Sequence, residues 1–561
     1  MNSPRQGVSD LPEICFRHGM RTVVISPGSR NAPLIFSFTG HPKMECLSVT
    51  DERSAAYFAL GLAVQTKQPV GLICTSGTAA LNFAPAIAEA YYQNIPLIVL
   101  TADRPGEWID QADGQTIRQD EIYRNYIRQS YLLPVETVTD SDLWHFNRLV
   151  NEAMNMSLGE PSGPVHLNVQ LREPLYNPMP PRSIDPRIIK TINTPSPLPE
   201  ELLTQLQSLW NSSPKKMVIA GAGVINEQKS ETINILAENP SVVVMAENLS
   251  NIFNEQIISS PERFFASLSE EEADDFRPDL LITIGQSVVS ARLKKYLRHH
   301  APDQHWHIST SSAFTDTFQG LTHSIVASPE KLLTALTKNE KNPGATYRDT
   351  LLNKEYLVRE KHEKLIWAAP FSDLTVYDTI LTRLPANCHL HLENSTPIRY
   401  SQLFAGRKDI QYHCNRGTSG IDGCLSTAAG CSVASPKPAV LITGDLAFIY
   451  DSNSLWIKYL KGNFKIIVIN NGGGNIFRLI ETGQSENPAR DFFETPHHVN
   501  IKLLTEAYGA KHALCQSKEE LPAMLDWLFG PADAPCVLEI VTGIGINTDV
   551  FKNYYKQIKI V

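Results

Sequence analysis

No apolar run in the 561 residues reaches the roughly twenty positions needed to cross a bilayer. The first twenty residues, MNSPRQGVSDLPEICFRHGM, lack the continuous apolar core of a secretory signal. An excess of positive charge is missing too: 50 Lys and Arg stand against 59 Asp and Glu, a formal net charge of −9. That balance argues against a nucleic-acid binder, and any anionic ligand must be met by locally placed cations. Cysteine is sparse. The nine present are scattered without a CxxC pair, which suggests reduced thiols in a cytosol-like compartment. There is no sequence repeat and no low-complexity tract. These absences predict a cytoplasmic protein with neither a membrane nor a nucleic-acid partner. What remains is ordinary globular composition, 42% hydrophobic and 19% charged. At this length roughly three or four domains are expected.

The stretch from Ala439 to Phe477 organises the chain. An apolar run, Ala439–Thr443, stops at Gly444-Asp445, and a second, Phe464–Ile469, stops at Asn470-Asn471 and the glycines 472–474. Between them Leu455, Trp456, Tyr459 and Leu460 recur at helical spacing. A strand, a crossover helix and a second, parallel strand are predicted. Asp445 and Asn471, 26 positions apart in the chain, then meet at the carboxyl edge of a sheet, where open α/β folds bind ligands. A carboxylate, an amide oxygen and a main-chain carbonyl make half of an octahedral oxygen shell, which suits Mg²⁺. Phosphates and water would complete it, and the glycines let a phosphate approach the backbone. Taken alone, each piece is a strand-ending turn. The pair, in this order and spacing, resembles the metal–diphosphate motif of thiamine diphosphate (ThDP) enzymes.

Toward the amino terminus, Thr22–Ile25 runs into Ser26-Pro27-Gly28-Ser29-Arg30, and Ser48-Val49-Thr50 into Asp51-Glu52-Arg53 and a helix over Ser54–Val64. Val70–Cys74 precedes Ser76 and Thr78 and a helix from Ala79 to about Tyr92; Pro96–Leu100 precedes Arg104; Pro164–Val169 follows. Strands alternating with helices predict a doubly wound parallel sheet over residues 1–180. Glu52 by itself is a carboxylate favoured at a helix start. A ThDP enzyme also needs one carboxyl group against the aminopyrimidine ring, outside the diphosphate domain, and Glu52 is the best-placed candidate. Burial there would raise its pKa.

Residues 173–201 are rich in proline and polar residues and read as a linker. Met217–Ala220, Val242–Ala246 and Leu280–Ile284 predict a second α/β domain over 200–335. Its Gly221-Ala222-Gly223 falls short of a dinucleotide fingerprint, because Asn226 stands where the last glycine belongs, so a structural tight turn is expected. The residues after Gly285, QSVVSARLKKYL, read as a helix carrying Arg292. A second linker, Thr337–Tyr347, leads to a domain over 350–561 with strands Cys388–Leu392, Ile410–His413, Ala439–Thr443, Phe464–Ile469 and Cys536–Val541. The first and last domains read as two copies of one architecture. The fold class is thus α/β, with three doubly wound parallel-sheet domains.

The stretches VVISPGSRNAPL, SVTDERSAAYFALGLA, CTSGTAALNFAPAIAEAYYQNIPLIVLTADRP and NRGTSGIDGCLSTAAG sharpen the resemblance. They are similar to the 2-succinyl-5-enolpyruvyl-6-hydroxy-3-cyclohexene-1-carboxylate synthases of menaquinone biosynthesis, the MenD family. That resemblance implies a ThDP-dependent carboligase that decarboxylates 2-oxoglutarate and adds the resulting carbanion to isochorismate. It implies a Mg²⁺ or Mn²⁺ ion on Asp445, Asn471 and the Gly473 carbonyl, and Glu52 as the proton-handling group at the cofactor. Ile421, Gly444 and Ile476 join the cofactor contacts. Ser29, Arg30, Arg104, Gln115, Arg292, Ser395, Arg399 and Arg416 are placed around the substrates, with Ile476 and Phe477 as an apolar wall. The implied assembly is a homodimer or homotetramer in which the first domain of one subunit and the last of its partner share each cofactor. Two positions depart from some relatives: Ala291 stands for a lysine and Gly114 for an asparagine. Other readings are a 2-oxoacid decarboxylase or acetohydroxyacid synthase, a non-catalytic nucleotide binder, and a dinucleotide oxidoreductase. Many decarboxylases of this fold carry a histidine pair in the first domain, and residues 100–140 here contain no histidine.

Overall fold

The computed structural model describes residues 3–192, 198–223, 227–311, 314–338, 340, 346–479 and 490–559. Asn226, five residues of the first linker (193–197) and most of the second lie outside the described residues. Among the described residues, eighteen strands form three six-stranded sheets. No helix among them is long and apolar enough to cross a membrane.

The first sheet holds β1 (Thr22–Ile25), β2 (Glu45–Ser48), β3 (Val70–Cys74), β4 (Leu97–Asp103), β5 (Ser130–Leu133) and β6 (Val165–Gln170). The second holds β7 (Lys216–Ala220), β8 (Val242–Ala246), β9 (Ile257–Ile258), β10 (Leu280–Ile284), β11 (Gln304–Ser309) and β12 (His323–Val326). The third holds β13 (His389–Leu392), β14 (Gln411–His413), β15 (Ala439–Gly444), β16 (Phe464–Asn470), β17 (Lys511–Cys515) and β18 (Cys536–Val541). Strands pair in parallel within each sheet. The first sheet runs β2-β1-β3-β4-β6-β5 and the third β14-β13-β15-β16-β18-β17. Each strand of the third occupies the place of its counterpart in the first, so the two sheets share one topology. The second sheet runs β12-β11-β10-β7-β8-β9, a different winding whose order reverses between β7 and β10.

The chain divides into two compact units. One contains residues 1–194, 415–439 and 450–464, and hence the first sheet. Its central strands β3 and β4 are buried on both faces and correspondingly rich in apolar residues, with Thr101 and Asp103 only toward the carboxyl end of β4. Here the helix Glu52–Thr66 packs along the helix Cys424–Ala434. Close approach requires glycine twice: a Cβ on Gly61 would overlap the Thr427 carbonyl, and one on Gly430 the Phe58 carbonyl. The other unit contains 195–414, 440–449 and 465–561, with the second sheet and most of the third. In β7, Val218 and Ala220 face one core of the second sheet, and Met217 and Ile219 the other.

Four local expectations are corrected. The run Ser48-Val49-Thr50 lies largely past its strand, since β2 covers Glu45–Ser48 in register with Thr22–Ile25. No regular helix covers 455–460: Asp445–Tyr450 is α-helical and Ser452–Trp456 is a 3₁₀ turn. Leu455 and Ile457 are buried while Trp456 is exposed. The cause is the side chains that hold the segment: Asn453 donates to Asp51, and the Tyr459 hydroxyl accepts from the Ser48 N–H. The helix expected after Gly285 begins only at Ala291. The buried Glu247 carboxylate accepts from the Val289 and Ser290 N–H groups, both at 2.6 Å, holding 286–290 out of the helix, and Ser290 caps it. The helix expected over 79–92 is two, Thr78–Asn82 and Ala84–Gln93, broken ahead of Pro85.

Gly221-Ala222-Gly223 has a packing role. A Cβ on Gly221 would overlap the Gln286 carbonyl, and Ala222 exchanges backbone hydrogen bonds with Gln286 and Ser287.

Candidate active site

The carboxyl ends of β15 and β16, neighbours in the third sheet, bring Asp445 and Asn471 together. Asp445 follows β15 directly and is 2% exposed. Its Oδ2 accepts from the Gly472 and Gly473 N–H groups, at 2.8 and 2.9 Å, so its carboxylate ties one strand end to the other. Oδ1 accepts from the Leu446 N–H at 2.7 Å. Burial raises the Asp445 pKa; these hydrogen bonds and His497, whose Nε2 lies 3.3 Å from Oδ2, oppose the rise.

Asn471 donates its amide Nδ2 to Asp373 at 3.3 Å. Asp373 is fully buried, accepts from the Thr542 hydroxyl at 2.6 Å and Asn547 Nδ2 at 2.9 Å, and has its pKa pushed up to about 6, chiefly by burial. Asn471 Oδ1 is left buried with no hydrogen-bond partner among the described residues. Such an orphan acceptor costs about 1–3 kcal/mol, and a cation beside it would remove the cost. The Gly473 carbonyl accepts one hydrogen bond, from the Asn475 N–H at 2.9 Å, and keeps a second lone pair. Three oxygens of these kinds suit a hard divalent cation. The surroundings suit a phosphate: a Cβ on Gly444 or Gly472 would meet no atom of the described residues within 4 Å. Beneath the edge, buried Glu393 accepts from the Gly444 N–H at 3.0 Å and from the Thr443 hydroxyl.

The remaining candidates of this unit are placed as follows. Ile476 and Phe477 open the short helix Ile476–Leu479; Phe477 is 39% exposed, its ring 5.6 Å from that of Phe493. Ser395 has a left-handed φ of 72°, and its carbonyl accepts from Arg399 Nη1 at 2.6 Å. Arg399 is exposed on the helix Thr396–Ser401. Arg292 lies over the Tyr555 ring, 4.1 Å from its centroid, with Nε 3.4 Å from Glu262.

In the other unit, Glu52 is the first residue of its helix. Asp51 caps that helix by accepting from the Ser54 N–H at 3.0 Å and also accepts from Asn453 Nδ2 at 2.8 Å. Arg53 donates to the Tyr450 carbonyl at 2.8 Å and lies over the Tyr450 ring. Both neighbours of Glu52 are thus fixed by the segment 450–453. Partial burial raises the Glu52 pKa, and the Asp51 charge adds to the rise. Ser29 and Gln115 are exposed, Gln115 with a φ of 56°. Arg30 is buried and pairs with Glu173 at 3.0 Å; Arg104 pairs with Asp113 at 2.8 Å. Arg416 is half-buried, and the next turn is held by Glu89, whose carboxylate accepts from the Gly417 and Thr418 N–H groups at 2.6 and 2.7 Å. Ile421 is 38% exposed.

Arg30, Arg104 and Arg292 each have a carboxylate partner within the chain. Sequence reasoning missed Asp373, Glu393, His497, Glu89 and Glu173. Each acts through a contact made only on folding.

Comparison with known proteins places this geometry. Residues 5–123 match the family described as thiamine pyrophosphate enzyme, N-terminal TPP binding domain, and residues 397–540 its C-terminal TPP binding domain. The 2-succinyl-5-enolpyruvyl-6-hydroxy-3-cyclohexene-1-carboxylate synthase of Flavobacterium johnsoniae is 39% identical, over 97% of this chain and 98% of its own. The synthases of that name from Porphyromonas gingivalis and Desulfotalea psychrophila are 39% and 38% identical, over 99% and 96% of this chain and 98% of each relative. Two thiamine pyrophosphate domains at the two ends of the chain, and identity sustained across nearly all of it, place the chain in the 2-succinyl-5-enolpyruvyl-6-hydroxy-3-cyclohexene-1-carboxylate synthase family.

Proposed function

We propose that the protein decarboxylates 2-oxoglutarate and joins the resulting four-carbon acyl-anion equivalent to isochorismate by 1,4-addition. The product is 2-succinyl-5-enolpyruvyl-6-hydroxy-3-cyclohexene-1-carboxylate, formed in menaquinone biosynthesis. Bound thiamine diphosphate supplies the electron sink for the carbanion. Asp445, the Asn471 side-chain oxygen and the Gly473 carbonyl hold a Mg²⁺ or Mn²⁺ ion, and Gly444 and Gly472 leave room for the diphosphate. Glu52 holds a proton against the cofactor's pyrimidine ring, a duty served by a carboxyl group whose pKa is raised by burial. Arg30, Arg104, Arg292, Arg399 and Arg416 orient substrate carboxylates through their planar forks, with Ser29, Gln115 and Ser395 as neutral partners and Ile476 and Phe477 as an apolar wall. Ile421 supports the cofactor.

In this reading residues 1–180 receive the pyrimidine, 350–561 the diphosphate and metal, and 200–335 form a central domain without a nucleotide. The enzyme works in the cytoplasm as a homodimer or homotetramer, and each cofactor lies between the first domain of one subunit and the last of its partner. Family membership supports the reaction. The observation that carries the site is the buried Asn471 Oδ1 beside Asp445, which has no hydrogen-bond partner among the described residues, at an edge where those residues leave space around two glycines. Purified protein incubated with thiamine diphosphate, Mg²⁺, 2-oxoglutarate and isochorismate should yield the named product by mass spectrometry, and omission of the cofactor should abolish it. Consumption of 2-oxoglutarate without carbon–carbon bond formation would instead favour a decarboxylase.

A further inference from the structure

Arg30 and Arg104 turn toward one carboxylate oxygen. Arg30 Nη2 is 3.0 Å from Glu173 Oε1, and Arg104 Nη1 is 3.9 Å from the same atom. The three residues come from the carboxyl edge of the first sheet: Arg30 follows β1, Arg104 follows β4, and Glu173 lies three positions beyond the end of β6. The partners differ in solvation. The Arg30 side chain is 5% exposed and that of Glu173 is 68% exposed. The Glu173 carboxylate therefore reaches a buried guanidinium from the solvent side. Arg30 Nη1 donates to the Leu171 carbonyl, at 3.0 Å. Arg104 is steadied by Asp113 and by the Gly114 carbonyl, which accepts from Nε at 3.1 Å.

We propose that the Glu173 carboxylate is an internal stand-in for a substrate carboxylate. It neutralises Arg30, beside an Arg104 already answered by Asp113, before substrate arrives and is exchanged for the substrate's own carboxylate on binding. The inference rests on the functional reading that these two arginines receive a substrate carboxylate. A buried cation needs an anion at all times, since an unpaired buried charge costs several kcal/mol. A carboxylate that is 68% exposed keeps most of its hydration within the pair and so loses little by returning to water. Exchange of one carboxylate for another thus keeps the site neutral at each stage. It lets a chain with a net charge of −9 bind carboxylates through arginines that already have partners. It also gives selectivity, because a neutral analogue has nothing to offer Arg30 in place of Glu173.

The sign of one effect separates a stand-in from a fixed orienting partner. Steady-state kinetics of the holoenzyme would be measured with both substrates for Glu173→Gln and Arg104→Ala, alongside thermal melts and thiamine diphosphate titrations. Glu173→Gln removes the competing anion and should lower KM for the substrate that uses these arginines, by up to about fivefold, with cofactor affinity unchanged. Arg104→Ala should raise the same KM. If Arg104→Ala raises it but Glu173→Gln raises it or leaves it alone, Glu173 is a fixed partner, and the inference fails while the functional reading stands. If Arg104→Ala leaves both KM values unchanged, the arginines do not bind substrate and both fail. Should Glu173→Gln not fold, Glu173→Asp, one methylene short of Arg30, should shift KM in the same direction, and an increase would overturn the proposal.

Discussion

Asp373 accepts a hydrogen bond from the Asn471 amide at 3.3 Å and thereby fixes which end of that amide faces the sheet edge. The nitrogen is held by a carboxylate that Thr542 and Asn547 hold in turn, so the oxygen points away from it. A rotated amide would present N–H groups to a cation, and Asp373 opposes that rotation. The oxygen set at the edge is built on this buried network as much as on its own three residues.

Asp445→Ala should abolish metal-dependent thiamine diphosphate binding, and Asn471→Ala should weaken it. Removing the Asp373 partner by Asp373→Ala should raise the Mn²⁺ dissociation constant by roughly 10–100-fold, the usual effect of losing a group that orients a metal ligand. Electron paramagnetic resonance of free Mn²⁺ reads this directly. Thr542→Val tests the same network with less risk to folding, and unchanged Mn²⁺ affinity in both folded variants would remove the positioning role.

Glu52→Gln should keep the fold and the cofactor yet lose activity by a factor of about 10²–10⁴, the range for a proton-transfer group. Circular dichroism and a cofactor titration establish the first part and turnover the second. Near-normal turnover by the cofactor-saturated variant would dismiss Glu52 from the chemistry.

Arg399→Ala and Arg416→Ala should each raise KM for a substrate or lower kcat, with thiamine diphosphate binding intact. A lost charge-assisted pair is worth about 1.5–3 kcal/mol, or roughly ten- to over a hundredfold in kcat/KM. Wild-type kinetics in both variants would exclude these two arginines from the substrate site.

Mixing inactive Glu52→Gln with inactive Asp445→Ala protein should restore partial activity if subunits exchange. A hybrid dimer then carries one site whose two domains are both wild type. Hybrids demonstrated by mass but without recovery would count against cofactor sites shared between subunits.

Buried neutral histidines should make the fold acid-labile. Burial pushes His166 down to about 3 and His362 down to about 3, from an ordinary value of 6.5. His166 is hydrogen-bonded to the Thr101 hydroxyl at 2.7 Å, and His362 to that of Tyr554 at 2.8 Å. The unfolded chain takes up a proton on each as pH falls through 6.5, while the folded chain does not until near 3. Stability present above pH 6.5 is therefore lost as pH drops from 6.5 toward 3, by at most about 1.4 kcal/mol per pH unit for each histidine. Melting temperatures between pH 7 and pH 4 should fall less steeply for His166→Gln and His362→Gln than for wild type, and equal slopes would refute the assignment.

The sequence by itself determined the sheets' central strands and the two residues at the edge of β15 and β16. A parallel strand buried on both faces is dominated by apolar residues, and the polar residues that follow it mark the sheet's carboxyl edge. Val70–Cys74, Val242–Ala246, Leu280–Ile284 and Cys536–Val541 are therefore legible residue by residue, and so is the juxtaposition of Asp445 with Asn471. The strands β5, β9, β11, β12 and β17 escaped notice: β5, β12 and β17 lie at sheet edges and carry exposed positions that break the apolar run, β9 is only two residues long, and the interior β11 interleaves His305 and His307 with its apolar residues. Tertiary structure alone decided what surrounds the site residues. Asp373 and Asn471 are 98 positions apart, and Asp51 and Asn453 are 402 apart. Such hydrogen bonds leave no local periodicity or spacing, because the fold brings the partners together only after each segment has formed. The same contacts overrode local pattern at 455–460 and 286–290, where fixed side chains and a buried carboxylate took backbone that periodicity assigned to helices. They also settled the arginines: sequence marks a cation at a strand end, and only the folded chain shows that Glu173 already answers it.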